Sequence, residues 1–329
     1  MMSFPTPQEL ISMTPAKEAF IHSSREIASN IFFKKDPRKI LFLGPCSVHE
    51  REATLEYARK LRELSQEVKE EFYLIMRVFI EKSRTGMGWK GLLYDPHLDG
   101  SHDIEQGVLL SRKLLSEIHE IGLPCAMEFV DPLLTPYIED LITWGFIGAR
   151  TSASQPHRQM ASSLFFPVGF KNQLDGNIHC VVQAILSAGT PHCYLHLDRQ
   201  GKIVRKETSG NPFCHLVLRG SDREANFSKS AVQEALSLLA RPLIIDCSHG
   251  NSRKNPQEQK KPFLSAIEQI EEGNDNILGM MLESFLYTGK QNLQKELQYG
   301  VSITDACLGW EETAELIYSS SGVMRSVHS

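Results

Sequence analysis

The chain carries the stretch ILFLGPCSVH at residues 40–49. A short apolar run closed by a Gly-Pro turn is typical of a buried strand. Cys46 follows the end of that strand directly, where the chain enters a loop. In an α/β barrel, the carboxyl ends of the strands face the active site. We therefore expect Cys46 to be the first of several functional groups that meet at one end of a barrel.

Seven further strand candidates follow, separated by segments with helical periodicity. The eight candidates are residues 40–44, 72–79, 125–129, 146–150, 167–171, 215–220, 242–249 and 277–284. The amphipathic segments between them include residues 53–64, 104–121, 133–144 and 175–188. Eight alternating βα units in roughly 250 residues predict a (β/α)8 TIM barrel. A doubly wound open sheet is the structural rival, but it gives no reason for a functional group at eight strand ends.

Three segments extend the predicted barrel, which spans residues 40–318. Residues 1–39 predict an N-terminal helical extension with an apolar stripe from Phe20 to Phe32. We expect its main helix to begin at Thr14-Pro15, and the stripe to pack on the barrel bottom or on a neighbouring subunit. Residues 192–208 predict a β-hairpin inserted between strands 5 and 6. The polar residues 319–329 are expected to form a flexible tail.

Composition narrows the classes of function. The 329 residues carry a net charge of −5, which does not favour binding to nucleic acid or to a membrane surface. The seven cysteines include no CxxC pair, which is typical of a reducing compartment. No signal peptide and no transmembrane run are recognised. We therefore expect a cytoplasmic protein.

Each predicted strand ends in a group that can ionise or bind metal, and many of these groups are cationic. The cations are Arg77, Lys82, Arg84, Arg150, Lys171 and Arg219. Six cations at one barrel mouth would form a focused anion trap in a protein of net negative charge. Six exceed the need of one phosphate, so we expect two anionic substrates or one substrate with several anionic groups.

The remaining strand-end groups include a thiol, an imidazole and carboxylates. Cys46, His249, Glu283 and the later Asp305 form a mixed set that suits Mn, Fe, Co or Zn better than Mg or Ca. Taken singly, each residue has a plain structural interpretation: Cys46 could be a small buried hydrophobe, and Arg77 or Arg150 could form an ordinary ion pair. The functional interpretation depends on the whole set falling at strand ends.

Ten blocks of sequence resemble the type I phospho-2-dehydro-3-deoxyheptonate aldolases, the DAHP synthases. They occur in order from about Ile40 to Ile317 and are GPCSVHE, MRVFIEKSRTGMGWKG, DPHLDGS, EFVDP, GARTSASQPHRQMAS, PVGFKNQLDG, TSGNPFCHLVLRG, DCSHGNSRK, LGMMLES and SITDACLGWE. The resemblance implies a (β/α)8 barrel that condenses phosphoenolpyruvate with erythrose 4-phosphate, the entry to the shikimate pathway. It also implies a homodimer or homotetramer, and an aromatic amino acid as effector whose identity does not carry over.

The resemblance assigns roles to the matching residues. The implied metal ligands are Cys46, His249, Glu283 and Asp305. The implied phosphoenolpyruvate cradle is Arg77, Lys82, Arg150, Lys171 and Arg219, and the implied aldose phosphate site is Arg84 and Thr85. Lys82, Glu128 and Asp305 are the catalytic candidates, with Glu128 and Lys82 orienting water and moving protons. The chain departs from the family pattern at Ser83, where proline is common, and at the pairs Gly86-Met87 and Gln173-Leu174.

Three other functions stay open at this point. An octulosonate 8-phosphate synthase would use arabinose 5-phosphate, although the Arg84-Thr85 pair favours the four-carbon sugar. A class I aldolase would form a Schiff base on Lys171. A non-catalytic phosphoenolpyruvate-binding regulatory subunit is disfavoured because no predicted ligand or cation is missing.

Overall fold

Eight parallel strands close into a barrel in the computed structural model, which describes residues 4–294 and 296–328, with side chains up to Met324. The barrel strands are β1 (Lys39–Gly44), β2 (Phe72–Arg77), β3 (Cys125–Glu128), β4 (Trp144–Ile147), β5 (Val168–Lys171), β8 (Cys214–Leu218), β9 (Leu243–Asp246) and β10 (Ile277–Glu283). Around the barrel the order is β1-β10-β9-β8-β5-β4-β3-β2. The predicted (β/α)8 barrel is confirmed. Its strands could be predicted because a buried strand needs only a short apolar run bounded by turn residues, a pattern that is local in the sequence.

Helices alternate with the strands on the outside. They are α1 (Pro7–Met13), α2 (Glu18–Phe32), α3 (Arg51–Glu67), α4 (Ile104–Ile121), α5 (Gln155–Ser162), α6 (His179–Ala188), α7 (Lys229–Leu238), α8 (Lys260–Glu271) and α9 (Trp310–His328). Residues 133–144 were expected to be amphipathic helix, but they contain the 3-10 turns Pro132–Tyr137 and Glu139–Leu141. Pro136 lies inside the first turn, and a proline without an N–H cannot continue an α-helix there.

The N-terminal extension closes the bottom of the barrel. Ala28, Ile31 and Phe32 on one face of α2 belong to the same buried cluster as the residues that fill the barrel interior, such as Phe42 and Trp144. The predicted apolar stripe therefore packs on the barrel of its own chain. Burying the stripe against the apolar barrel surface lowers the free energy of the folded state, because both surfaces are removed from water.

The main helix of the extension begins later than expected. Thr14 ends α1, and α2 begins at Glu18. The Thr14 hydroxyl donates to the Leu10 carbonyl and accepts from Nε of Arg112 at 2.7 Å, so it serves the end of one helix rather than the start of the next. The short helix α1, which begins at a Thr6 cap, was not predicted.

The predicted hairpin is present between barrel strands β5 and β8. Strands β6 (His192–Leu197) and β7 (Ile203–Thr208) pair antiparallel outside the barrel. Its turn is closed by Asp198, whose Oδ1 accepts from the backbone N–H groups of Gln200 and Lys202. The hairpin forms a separate two-stranded sheet and leaves the strand order of the barrel unchanged.

The C-terminal segment is helical where a flexible tail was expected. Helix α9 runs to His328, and Ser320, Ser321 and Met324 are buried. Ser321 donates to Oε2 of Glu71 at 2.7 Å, which ties the helix to the bottom of β2. The prediction of a flexible tail was wrong, because it rested on polar composition. Serine side chains can be buried against a neighbouring element when they are hydrogen-bonded. Ser329 lies outside the described residues.

Within residues 4–294 and 296–328, no helix combines the length and the apolar character needed to cross a bilayer.

Candidate active site

A cavity of about 430 Å³ opens at the carboxyl ends of the barrel strands. Most of the predicted site residues line it: Cys46, Lys82, Arg84, Thr85, Glu128, Arg150, Lys171, Arg219, His249 and Asp305. Gly86 and Met87 also line it, in the long loop between β2 and α4. Parallel strands place their carboxyl ends on one side of a barrel, so residues far apart in sequence share this cavity.

Three candidate metal ligands come together at one edge of the cavity. The ligand atoms of Cys46, Glu283 and Asp305 all lie within 4.8 Å of one another. Strand register explains part of this arrangement, because Gly44 at the end of β1 pairs with Glu283 at the end of β10. The fourth predicted ligand, His249, is adjacent, with Nε2 3.6 Å from Oε1 of Glu283. Thiolate, carboxylate and imidazole donors at such separations fit a divalent transition metal.

A buried carboxylate stands behind His249. Oδ2 of Asp246 lies 2.9 Å from Nδ1 of His249 and 3.2 Å from Nζ of Lys171. Burial acts to raise the pKa of Asp246, but the charges of His249 and Lys171 outweigh it, and the pKa lies well below its ordinary value. The sequence analysis assigned no role to Asp246. A carboxylate at the second nitrogen of an imidazole fixes the orientation of that ring.

Arg77 lies beneath the cavity and does not line it. Its side chain is fully buried, and Nη2 donates to Oε1 of Glu283 at 3.0 Å and to the Cys46 carbonyl at 3.3 Å. Gly44 makes room for β2 and for this side chain, because a Cβ at that position would come within 2.4 Å of the Arg77 carbonyl oxygen and 2.8 Å of its Cγ. The guanidinium therefore neutralises Glu283 and holds the loop after β1.

Phe79 lies among three cations at the bottom of the cavity, although the sequence analysis treated it only as part of a strand. Phe79 lines the cavity, and the Arg77 guanidinium lies 3.9 Å from its ring centroid. The ammonium groups of Lys171 and Lys82 lie 5.5 and 5.9 Å from the same centroid. Cation–π attraction offsets part of the repulsion among these cations.

Two oppositely charged groups, Lys82 and Glu128, line the cavity. Lys82 donates to the Cys46 carbonyl at 3.0 Å and lies 3.3 Å from its Sγ. Burial acts to lower the pKa of Lys82, yet Cys46 and the nearby carboxylates raise it overall, so the group is an ammonium ion. Burial acts to raise the pKa of Glu128, but the surrounding cations, Lys171 first, lower it, so this group is a carboxylate.

The outer wall carries the remaining predicted groups. Arg150 donates from Nε to Oγ1 of Thr85 at 2.7 Å, which joins the loops after β2 and β4. Arg84 donates to the Trp89 carbonyl at 2.8 Å, and Arg219 donates to the Gly220 carbonyl at 3.2 Å. Both guanidinium groups keep further N–H donors for an anion, since each carries five.

The sequence prediction missed two charged residues that line the cavity, Lys254 and Asp222. Lys254 has a φ of 60° and lies in the loop after β9, in which His249 also has a positive φ, of 56°. Non-glycine residues in this left-handed region are uncommon and often mark functional loops. Extending the search from the strand ends into the loops behind them would have found both residues.

Comparison with known proteins agrees with this architecture. A family model described as the DAHP synthetase I family matches residues 16–317. The chain is 44% identical over 323 residues to a Tyr-sensitive phospho-2-dehydro-3-deoxyheptonate aldolase of Salmonella typhimurium, covering 95% of this chain and 90% of the relative. It is 42% identical over 330 residues to the Phe-sensitive form of Escherichia coli K12, covering 97% and 94%. The solved structure of phospho-2-dehydro-3-deoxyheptonate aldolase from Francisella tularensis SCHU S4 matches with a TM-score of 0.95 at 39% identity, covering 99% of this chain and 98% of that one.

Proposed function

Because the chain belongs to the DAHP synthetase I family, we propose that it condenses phosphoenolpyruvate with D-erythrose 4-phosphate. The products are 3-deoxy-D-arabino-heptulosonate 7-phosphate and phosphate, in the first step of the shikimate pathway. The chain is thus an enzyme of the phospho-2-dehydro-3-deoxyheptonate aldolase type, a transferase of class EC 2.5.1.54. Its relatives carry that activity in their names.

The observation that carries the proposal is one cavity lined by six cations. Five were predicted from the sequence and Lys254 is the sixth. Phosphoenolpyruvate brings a phosphate and a carboxylate, and the aldose brings a second phosphate, so three anionic groups meet this surface. We assign phosphoenolpyruvate to Lys82, Lys171, Arg150 and Arg219, with Arg77 supporting them from below. We assign the phosphate of erythrose 4-phosphate to Arg84 and Thr85.

We propose that Cys46, His249, Glu283 and Asp305 hold a divalent metal ion, Mn, Fe, Co or Zn. The donor set fits such an ion, and Asp246 orients the imidazole that would join it. Burial and the Glu283 charge raise the pKa of the Cys46 thiol, against the pull of Lys82. A bound cation would favour the thiolate instead. The chemistry that such an ion supplies when bound is polarisation of the aldehyde oxygen.

The residues of the chain account for the other requirements of the reaction. In the proposed reaction, C3 of phosphoenolpyruvate bonds to the aldehyde carbon, water adds at C2, and the phosphate leaves. Glu128 is ionised and can accept a proton from that water. Lys82 is protonated and can donate to the oxygen that gains negative charge. The cationic wall fixes the two substrates relative to each other, which removes most of the entropic cost of their encounter.

We also propose feedback by an aromatic amino acid, assembly into a homodimer or homotetramer, and a cytoplasmic location. Two relatives are named for sensitivity to Tyr and to Phe. On the outer hairpin, Leu195 and Ile203 expose 77% and 74% of their surfaces. Phe165, between α5 and β5, exposes 85%. Apolar side chains exposed to this degree are typical of a surface that a second copy covers. Sedimentation of the purified chain tests the assembly.

The direct test is a phosphate-release assay with phosphoenolpyruvate and erythrose 4-phosphate. We expect turnover that disappears in chelator and returns with Mn, Fe, Co or Zn, and inhibition by at least one of Phe, Tyr and Trp. Arabinose 5-phosphate in place of erythrose 4-phosphate is the comparison substrate. Faster turnover with the five-carbon sugar would overturn the assignment of the aldose. Binding of phosphoenolpyruvate without turnover of either aldose would overturn the proposed reaction.

A further inference from the structure

A fully enclosed carboxyl group lies behind the cavity wall, next to Lys82 in sequence but not among the lining residues. Glu81 is 1% exposed. Its Oε2 accepts from the backbone N–H of Val130, and its Oε1 accepts from that of Asp131, both at 3.2 Å. Glu81 follows β2, whereas Val130 and Asp131 follow β3. One side chain therefore joins two neighbouring loops of the active-site face through both of its oxygens.

Further hydrogen bonds extend this connection to a third loop. Tyr94, which also lies between β2 and α4, donates its hydroxyl to Oδ2 of Asp131 at 2.8 Å. His157 on α5, beyond β4, places Nε2 2.9 Å from the Val130 carbonyl. We call Glu81, Tyr94, Val130, Asp131 and His157 the loop clamp. The clamp connects three parts of the active-site face. These are the loop after β2 with Lys82, Arg84 and Thr85, the end of β3 with Glu128, and the segment after β4 with Arg150.

The charge environment makes this clamp costly to build. Burial raises the pKa of Glu81 to about 8, and the Asp131 and Glu128 carboxylates act in the same direction, although the two backbone N–H donors act against them. Placing a carboxyl group in a dry site beside two other acids costs more than placing an apolar side chain there. Only a side chain with two oxygens, however, can accept from two separate N–H donors in this geometry.

We propose that Glu81 is a positioning residue for the reaction. It holds the loop with Lys82, Arg84 and Thr85 in a constant position relative to Glu128. This inference rests on the proposed function, because it assigns the aldose phosphate to that loop. Of the four groups assigned to phosphoenolpyruvate, Lys82 and Arg150 lie on segments that the clamp connects, whereas Lys171 and Arg219 follow strands outside it. Binding of phosphoenolpyruvate should therefore depend less on Glu81 than binding of the aldose phosphate does. We therefore expect loss of the clamp to impair the placement of erythrose 4-phosphate more than the binding of phosphoenolpyruvate.

The test substitutes the carboxyl by its amide. Glu81→Gln has the same shape, but it retains one oxygen and turns an NH2 group toward a backbone N–H. We expect the KM for erythrose 4-phosphate to rise about tenfold and kcat to fall, because misplacement of about 1 Å costs up to about 100-fold in rate. The dissociation constant for phosphoenolpyruvate, measured by calorimetric titration of the metal-loaded protein, should change less than about threefold.

Glu71→Gln is the matched control. Glu71 is a buried glutamate just before the opposite end of the same strand, and it accepts from Ser321 at the bottom of the barrel. Glu71→Gln should lose thermal stability to a degree similar to Glu81→Gln, but it should keep the wild-type kcat and KM for erythrose 4-phosphate. If Glu81→Gln also keeps both constants, or loses affinity for the two substrates equally, the positioning role is wrong. Turnover by the wild type and by the control variant tests the proposed function separately.

A milder variant decides the matter if Glu81→Gln does not fold. Tyr94→Phe removes one hydroxyl from the clamp and leaves the carboxyl in place. We expect a two- to fivefold rise in the KM for erythrose 4-phosphate, with phosphoenolpyruvate binding unchanged. An unaltered KM in that variant would overturn the proposal, because the hydroxyl of Tyr94 does not line the cavity and contacts Asp131 of the clamp.

Discussion

Replacing Arg77 by methionine should destabilise the fold strongly. The guanidinium is fully buried and donates to Oε1 of Glu283 at 3.0 Å and to the carbonyls of Pro45 and Cys46 at 3.2 and 3.3 Å. Methionine fills a similar volume but provides no donor and no charge. The variant therefore leaves a buried carboxylate without its cation and two carbonyl groups without this donor.

The expected loss follows from the cost of breaking a buried ion pair from one side. Such a change typically costs about 3–5 kcal/mol, because the remaining charge stays desolvated. At about 2.1 cal/mol/K per residue, a chain of 329 residues unfolds with an entropy of about 0.7 kcal/mol/K. The melting temperature should therefore fall by roughly 4–7 °C. Weaker binding of phosphoenolpyruvate should accompany the loss, because the floor of the cavity rests on this side chain.

The assay is equilibrium unfolding in denaturant, together with calorimetry, in the presence of chelator so that no metal neutralises Glu283. Arg84→Met is the matched control, since it makes the same chemical change on an exposed side chain. Its free energy of unfolding should stay within about 0.5 kcal/mol of the wild type. A loss below about 1 kcal/mol for Arg77→Met would refute the view that Arg77 carries the charge balance beneath the cavity.

Three further predictions concern the metal, the proton transfer and one buried histidine. Asp246→Asn should weaken metal binding about 10- to 100-fold in competition with a chromophoric chelator, because His249 loses the carboxylate that orients it; an unchanged affinity would contradict that role. Glu128→Gln should lower turnover about 10²- to 10⁴-fold while leaving metal and phosphoenolpyruvate affinities within about threefold, and normal turnover would remove Glu128 from the mechanism. Burial lowers the pKa of His119 from 6.5 to about 4, so the folded state keeps this ring neutral. The folded state therefore loses stability as the pH falls from 6.5 to about 4, because the unfolded chain binds this proton more readily. His119→Leu should therefore reduce the pH dependence of the free energy of unfolding across that window by up to about 1.4 kcal/mol per pH unit, and an identical slope in both proteins would show that His119 does not titrate this way.

The sequence by itself determined the architecture and most of the candidate site. Short apolar runs, helical periodicity and turn residues are local signals, so they predicted the eight strands and the hairpin at 192–208. Because parallel strands of a barrel end on the same side, that architecture also predicted a shared location for distant strand-end residues such as Cys46 and Glu283. It did so without any pair of ligands being near in sequence.

Tertiary structure alone decided where each side chain lies around that location. Arg77 donates to Glu283 and to the Pro45 and Cys46 carbonyls beneath the cavity, and no local sequence pattern indicates these partners. Lys254 lines the cavity from a loop that no strand pattern describes. Glu81 became interpretable only through its contacts with Val130 and Asp131, which are 49 and 50 residues away. The physical reason is that periodicity records which residues are buried, whereas the role of a buried charge depends on the partners that other parts of the chain bring to it.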